Sequence, residues 1–287
     1  LERSLQRAVI FDEHERMLVA PEASVPEEET LLSMAAGPFA ANHLIAEYQR
    51  EIAVWSVYQD LHTDRDAAIR QAAVSRVETR VAPDGQNLVS VLHTLYQRDR
   101  EFEREVDSAM RAAFGDEYEK LVFPPAAEQR IQFGVRWKSL RREQPAADLS
   151  DGTLRFLFLL AVLANPNPPP LITIDEPETG LHPSMLPIVA EYSSEAATRS
   201  QVLLTTHSPA FLDAFKGITP QPTITVIDWS NGKTALHVHS GEELEYWLKQ
   251  YTLGEMYRSG ELEAEERGSS SSLRDTRNKK QSAASSN

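Results

Sequence analysis

At 287 residues, with 41% hydrophobic and 25% charged residues, the chain is long enough to bury a full core as one large or two small domains. It contains no cysteine, which excludes disulfides and metal sites with cysteine ligands. The net charge of −14 argues against a protein that coats nucleic acid with its whole surface, but it leaves room for a local basic face.

The first half of the chain predicts mainly helices. Residues 1 to about 40 contain three prolines and an acidic run, which predict irregular structure. Apolar residues then recur on one face of three successive segments, as amphipathic helices require. These helices are predicted to begin near Asn42, Asn87 and Glu101. A short strand is predicted over Val57–Leu61, and the alternation of apolar and polar residues over Arg130–Lys138 predicts a half-buried strand.

The second half predicts a βαβ unit. Leu154–Ala164 is apolar on nearly all sides, so we expect a buried helix that ends before the triple proline at 168–170. Two runs of β-forming residues, Leu171–Asp175 and Gln201–Thr205, flank a helix that starts at Pro183. This order predicts two parallel strands joined by a helical crossover.

A hairpin and a closing helix are predicted after the βαβ unit. Two β-rich runs flank Asn231-Gly232, the signal for a type I′ turn. Residues 242–258 predict a single helix. The Ser-rich sequence over 266–287 cannot bury apolar area and is predicted to be disordered.

Two adjacent carboxylates, Asp175 and Glu176, directly follow the first of the parallel strands. In parallel sheets the carboxyl ends of the strands form the ligand-binding edge. One carboxylate there can hold Mg²⁺, usually through water, and the next can orient or deprotonate an attacking water. His207 follows the second strand and could sense a γ-phosphate. The pattern is typical of one half of an ATPase site.

The stretch Asp148–Arg155 precedes the apolar helix. Its Ser150 and Gly152 place a hydroxyl and unhindered N–H groups at a helix N-terminus, where an anion is favoured. The alternative is that Ser150 serves only as the N-cap of the helix. The Asp-Glu strand and then the His strand follow this stretch along the chain, and this order makes the combination specific.

These stretches, Leu-Ser-Asp-Gly-Thr, Ile-Asp-Glu-Pro-Glu-Thr-Gly-Leu-His-Pro and Thr-Thr-His-Ser-Pro, resemble the ABC-type ATPase heads of the RecF, SMC and OLD group. More narrowly, the chain resembles prokaryotic AAA family ATPases that are RecF/SMC-like. The resemblance extends to Trp55–Asp60, Asp84–Leu88 and Tyr251–Met256, and covers roughly residues 30 to 265.

The resemblance implies a P-loop NTPase fold of the α/β class, here incomplete. It would combine a parallel sheet with a helical lobe and a C-terminal antiparallel hairpin. Residues 1–265 would form one ATPase head with its motifs at 148–209, and 266–287 a tail.

The resemblance also implies a role for each matching residue. Asp175 would assist Mg²⁺ at the end of the Walker B strand, Glu176 would be the general base or water-positioning group, and His207 would be the switch histidine. Gly180–Pro183 would form the D-loop across the seam of a dimer. The residues themselves also allow a simpler interpretation, in which His207 is only a turn residue and Ser208 is the N-cap of the next helix.

The same resemblance places Ser150 and Gly152, with Asp151 and Thr153, in a signature loop that reaches the γ-phosphate bound by the opposite protomer. Asp151 stands where ABC transporters have the second signature glycine, a departure that is usual in the narrower family. As an alternative, Glu178 and His182 only cap the helix that starts at Pro183, and for Glu178 we favour this role over catalysis.

A phosphate-binding Walker A loop, Gly-x-x-x-x-Gly-Lys-Ser/Thr, does not occur in the sequence. The one Gly-Lys-Thr, at 232–234, has Ile227 at the position of the first glycine and falls in the predicted hairpin. In the family the Walker A loop lies upstream of the region that matches residue 1. We therefore expect this sequence to be the C-terminal two-thirds of a head.

The expected function is that of an ATP-binding and ATP-hydrolysing head that forms a homodimer around ATP and Mg²⁺, in DNA repair or anti-phage defence. DNA and a nuclease or effector protein are the further partners that the resemblance suggests. The alternative is a nucleotide-independent module for dimerisation or partner docking, which the lack of a Walker A loop favours.

Two further expectations concern surroundings and charge. No apolar run reaches the roughly 18 residues of a membrane span and no signal peptide is present, so we expect a cytoplasmic protein without membrane contact. Arg65, Arg70, Arg76 and Arg80 form a local basic cluster, whose simplest interpretation is a solvated face balanced by nearby acids.

Overall fold

A computed structural model describes residues 2–4, 7–12, 16–19, 30, 32, 43–59, 61–230, 232–239 and 241–262. Its first strands, β1 (Glu2–Ser4), β2 (Arg7–Asp12) and β3 (Met17–Val19), form a small antiparallel sheet. The prediction of irregular structure is wrong for these segments. The strands β2 and β3 contain the β-forming residues Val9, Ile10, Phe11 and Val19, β1 pairs with β2, and the prolines come later. The predicted cap at Asn42 and the tail at 266–287 lie outside the described residues.

Eight α-helices occur in the described ranges: α1 (His43–Ala53), α2 (Leu88–Arg98), α3 (Arg100–Phe114), α4 (Asp151–Leu163), α5 (Leu186–Ala196), α6 (Pro209–Asp213), α7 (Gly241–Leu248) and α8 (Leu253–Ser259). The three amphipathic helices of the first half are confirmed. Near the C-terminus, however, two helices replace the predicted single one. Thr252 starts α8 with a complete capping box to Glu255, which stabilises a second N-terminus there.

The remaining strands are β4 (Ser56–Tyr58), β5 (Ala73–Val74), β6 (Tyr118–Val122), β7 (Pro125–Ala126), β8 (Arg130–Ile131), β9 (Gly134–Trp137), β10 (Gln144–Pro145), β11 (Leu171–Ile174), β12 (Gln201–Leu204), β13 (Ile224–Ser230) and β14 (Lys233–His239). The single strand predicted over Arg130–Lys138 is divided into β8 and β9, because β8 pairs with β5 and β7 whereas β9 pairs with β6 and β10. The predicted alternation is otherwise confirmed, since Ile131, Phe133 and Val135 are buried.

A three-stranded parallel sheet in the order β12-β11-β4 supports the candidate site. The strand β11 lies in the centre, with Ile172 opposite Val202 on one side and Ser56 on the other. Because α5 connects β11 to β12, the predicted βαβ unit is confirmed. In the described ranges β12 pairs only with β11, and Leu203 on β12 is 52% exposed.

The helix α4 lies at the centre of the hydrophobic core. Every apolar residue from Leu154 to Leu163 is buried, and α4 packs against α2, α3 and α5. An apolar surface all round is what a helix enclosed by others requires. The helix begins three residues earlier than predicted because Ser150 caps it. The α/β fold class with a parallel sheet is thus confirmed.

The antiparallel hairpin of β13 and β14 is also confirmed, with Gly232 in the turn at a φ of 75°. The Gly-Lys-Thr at 232–234 therefore leads into β14 and not into a helix, so it is no phosphate loop. Across the described part of the chain, no helix has the length and apolar character needed to cross a membrane.

Candidate active site

The three parallel strands end together and place polar residues along one edge. Beyond the last paired residues, the Asp175 N–H donates to the Tyr58 carbonyl at 2.9 Å and the Thr205 N–H donates to the Ile174 carbonyl at 3.1 Å. These bonds extend the sheet by one residue and fix the backbone of Asp175 and Thr205. Asp175, Glu176 and Thr205 are all exposed at this edge, as binding from solvent requires.

The backbone at Glu176 is strained. Its φ of 43° lies in the left-handed region, which costs a non-glycine residue on the order of 1–3 kcal/mol. Two contacts with the next strand oppose this cost, because the Glu176 N–H donates to the carbonyl oxygen of Thr205 at 3.2 Å and to its Oγ1 at 3.1 Å. The Thr179 hydroxyl donates to Glu176 Oε2 at 3.2 Å and orients the carboxylate.

Two consecutive threonines connect the end of β12 to the acidic loop after β11. The Thr205 hydroxyl donates to Asp175 Oδ1, and the Thr206 hydroxyl donates to Glu178 Oε1. The Thr206 oxygen also accepts the Ser208 N–H at 2.9 Å. The exposed His207 lies between Thr206, whose hydroxyl makes both of these bonds, and Ser208, whose N–H makes one of them.

The capping role predicted for Glu178 is wrong, whereas that of His182 is confirmed. His182 Nδ1 accepts the Ser184 N–H at 3.2 Å and caps the 3₁₀ turn at 183–185 that leads into α5. Since His182 already caps this end, Glu178 is free to turn toward Thr206. Its second oxygen, Oε2, is buried without a hydrogen-bond partner in the described ranges. Ser208 caps α6, as the alternative for that residue predicted.

The residues predicted to form the signature loop lie at the start of α4. Ser150 Oγ accepts the Thr153 N–H at 3.1 Å and lies 2.7 Å from Thr153 Oγ1, so Ser150 is the N-cap. Gly152 faces the loop after β11 closely: a Cβ there would lie 2.7 Å from the Gly180 carbonyl oxygen. The predicted residues therefore form two groups, one at the sheet edge and one at the start of α4, joined through this contact.

Sequence reasoning missed Gln59 and Arg155, which line an open pocket together with Asp175 and Glu176. Gln59 directly follows β4, so the rule that the carboxyl ends of parallel strands share one edge would have found it. Arg155 is the one charged residue in the body of the apolar helix α4, which is itself a signal of function. Its Cδ would lie 3.2 Å from a Cβ at Gly180.

The donors in this pocket suit Mg²⁺. The edge presents the carboxylates of Asp175 and Glu176 and the amide oxygen of Gln59. In the part of the chain that the structure describes, no cluster of three or more His, Cys, Asp or Glu residues could hold a metal alone. Mg²⁺ usually keeps several waters and is bound by one or two carboxylates plus phosphate oxygens, and the carboxylates of Asp175 and Glu176 could supply that part of its ligands.

Several solved structures of SMC heads share features of this fold. A structure from work on the ATP-driven dimerisation and DNA-stimulated activation of SMC ATPases is 13% identical, with 55% of this chain and 95% of that one covered and a TM-score of 0.39. An Smc head from Pyrococcus furiosus bound to the C-terminal domain of ScpA is also 13% identical, with 74% and 44% covered and a TM-score of 0.42. The SMC head from Thermotoga maritima is 15% identical, with 53% and 52% covered and a TM-score of 0.35.

The chain thus spans about half the length of two of these three heads. No curated protein matches the sequence.

Residues 53–213 match the family described as "AAA domain, putative AbiEii toxin, Type IV TA system". The match contains the parallel sheet, the start of α4 and every predicted site residue. It covers more than half of the 287 residues. The chain therefore belongs to this family of AAA-domain proteins, as the resemblance to AAA family ATPases predicted.

Proposed function

We propose that this chain is the hydrolytic part of an ATPase head that forms a homodimer around ATP and Mg²⁺. The observation that supports this most is the conformation of Glu176. A carboxylate in a left-handed, strained backbone is fixed beside Asp175 at the open edge of a parallel sheet. Strain of this kind concentrates at functional sites, where the surrounding structure maintains it.

Asp175 and Gln59 are the residues that would hold Mg²⁺. The Thr205 hydroxyl donates to one oxygen of Asp175, which directs the carboxylate and leaves its other oxygen available. When bound, the ion neutralises charge on the phosphate oxygens during transfer. The role of Asp175 is then to orient that ion or its water ligands at the sheet edge.

Glu176 would position the attacking water or accept its proton. Its carboxylate is exposed, and Thr179 restricts its rotation by a hydrogen bond to one oxygen. His207, which follows the neighbouring strand and lies between the hydrogen-bonded Thr206 and Ser208, would contact the γ-phosphate. In phosphoryl transfer most of the catalysis comes from positioning and charge stabilisation, so rigid support of these side chains matters more than covalent chemistry.

Ser150, Asp151, Gly152 and Thr153 would complete the site of the opposite protomer. The N-terminus of α4 offers free N–H groups and the positive end of a helix dipole, both of which favour a phosphate oxygen. Because Gly152 packs on Gly180, the signature residues and the D-loop would move together at the dimer seam.

The phosphates themselves need a loop that the described residues do not contain. Within the described ranges β12 has a partner on one edge only. A strand that leads into a Walker A loop would pair with the other edge of β12, which would bring the phosphates next to His207. The full-length natural protein is therefore the molecule in which to test hydrolysis.

The biological setting that we propose is DNA repair or anti-phage defence in the cytoplasm, with DNA and a nuclease or effector protein as partners. The family description, which mentions a toxin of a type IV toxin–antitoxin system, supports a defence role.

The test is Glu176→Gln in the full-length natural protein. Loss of a positioned base should lower ATP turnover by about 10²–10⁴-fold, while ATP affinity is retained because the substitution preserves shape. Glu191→Gln, on the exposed face of α5, is the matched control and should hydrolyse ATP like the wild type. Unchanged turnover in Glu176→Gln would contradict the proposal. A wild-type protein that binds no ATP would instead support the nucleotide-independent docking module.

A further inference from the structure

Arg70 is a partly buried arginine that binds the start of the signature loop from a distant part of the chain. Its side chain is 9% exposed, although the sequence suggested a solvated basic face. The guanidinium Nη1 donates to three carbonyl oxygens, of Ala146 at 3.0 Å, Ala147 at 3.2 Å and Leu149 at 2.8 Å. The solvated-face interpretation is therefore wrong for this residue.

Two further bonds complete the surroundings of Arg70. Its Nε donates to the Thr63 carbonyl at 2.6 Å, which fixes the side chain on its own segment. Its Nη2 forms an ion pair with Asp151 Oδ1 at 2.5 Å. A guanidinium has five N–H donors in a rigid plane, so contacts from all three of its nitrogens fix the acceptors relative to one another.

These acceptors are the backbone groups that lead into α4. Ala146, Ala147 and Leu149 form the 3₁₀ turn and the extended residue that precede Ser150. Because their carbonyl groups point at Arg70, the chain enters the helix in one direction. That direction determines where the Ser150 hydroxyl and the first N–H groups of α4 point.

The ion pair also removes an electrostatic conflict. Asp151 is in the first turn of α4, and its side chain is 64% exposed. A carboxylate stabilises a helix N-terminus, but it repels a phosphate that approaches the same N–H groups. Arg70 compensates this charge and holds the Asp151 carboxylate by the ion pair.

We propose that Arg70 is the positioning residue of the signature loop, which it orients through the three carbonyl groups and whose Asp151 it neutralises. The part of this inference that concerns catalysis rests on the proposed ATPase function. The part that concerns the loop does not, so the two can be tested separately.

The first test is hydrogen exchange of the chain itself. In Arg70→Gln the N–H groups of Leu149, Thr153 and Leu154 should exchange at least roughly tenfold faster, because the turn loses its anchor, while those of β11 stay protected. Arg65→Gln, an exposed arginine of the same segment, is the control and should change nothing. Unchanged exchange in Arg70→Gln would overturn the proposal, whatever the ATPase assay shows.

The second test mixes subunits of the full-length natural protein. Arg70→Gln and Glu176→Gln dimers should each be inactive. In an equal mixture the heterodimers contain one site with an intact Glu176 and an intact opposite signature loop, so about a quarter of wild-type turnover should return. If Arg70 acted on the Glu176 of its own protomer, no activity would return, and the proposal would be refuted.

The third test isolates the charge. Adding Asp151→Asn to Arg70→Gln removes the uncompensated carboxylate. The double variant should therefore recover part of the lost turnover, and its KM for ATP should be lower than that of Arg70→Gln alone. No recovery would refute the electrostatic role of Arg70. If the wild type does not hydrolyse ATP, or Glu176→Gln is fully active, the proposed function fails, and hydrogen exchange alone decides on the positioning role.

Discussion

Replacement of Gly152 by alanine should destabilise the fold, although alanine is normally the better helix residue. Gly152 is the second residue of α4 and faces the loop after β11. An added Cβ would lie 2.7 Å from the Gly180 carbonyl oxygen, whereas ordinary van der Waals contact begins at 3.4 Å. The start of α4 or the loop must therefore move by about 0.7 Å.

The expected size follows from two opposing effects. Overpacking of a well-packed contact costs typically about 1–3 kcal/mol. Alanine gains up to about 1 kcal/mol over glycine from helix propensity, and less at the first turn. Backbone atoms on both sides limit relaxation, so we expect a net loss of about 1–2 kcal/mol in the free energy of unfolding. This corresponds to a decrease of roughly 2–8 °C in Tm.

The measurement is urea and thermal unfolding of Gly152→Ala and Gly152→Val next to the wild type. The larger valine should cost more, since the opposing group is a carbonyl of the main chain and not a flexible side chain. Equal or higher stability of Gly152→Ala would show that the start of α4 does not pack on Gly180 as described. The start of α4 and the loop after β11 would then not need to move together.

Two further predictions concern α8. Gly254→Ala should lower Tm. A Cβ at this position would lie 2.2 Å from the Pro209 carbonyl oxygen, and it would displace the Gly254 N–H from Asp213 Oδ1. A Tm equal to that of wild type would contradict this packing. Burial tends to raise the pKa of Asp213, but hydrogen bonds from Thr252, Gly254 and Arg258 outweigh it and keep this pKa below its ordinary value of 3.8. A carboxyl with a lowered folded-state pKa stabilises the protein above the unfolded-state value and loses this effect as pH falls through the folded-state value. Urea unfolding should therefore show a stability difference between wild type and Asp213→Asn that is constant at neutral pH and shrinks below about pH 3.8, whereas a difference that grows there would refute the assignment.

The polar edge of the parallel sheet could be predicted from the sequence because its signals are local. Asp175, Glu176 and His207 each follow a run of β-forming residues, and a parallel sheet brings such residues to one edge. The start of the second helix near the C-terminus could also be predicted from the sequence, since Thr252 and Glu255 have the spacing of a capping box.

Contacts between distant segments could not be predicted in this way. Arg70 is 81 residues from Asp151, and Glu178 is 28 residues from Thr206. Neither separation matches the short period of a helix or a strand. Both pairs depend on how distant segments of the chain pack against one another. The left-handed backbone of Glu176 likewise results from its bonds to Thr205, because a glutamate by itself favours a negative φ.

The outer edge of β12 affects how oligomer measurements on this protein are interpreted. Among the residues that the structure describes, no strand pairs with this edge, and Leu203 on β12 is exposed. An edge of this kind is a template for pairing with another chain. Two copies in which no further strand covers this edge would pair through their sheets, and this pairing would not need nucleotide. A dimer seen by sizing or light scattering is therefore informative only if it requires ATP and dissociates after hydrolysis, since pairing through β12 would respond to neither.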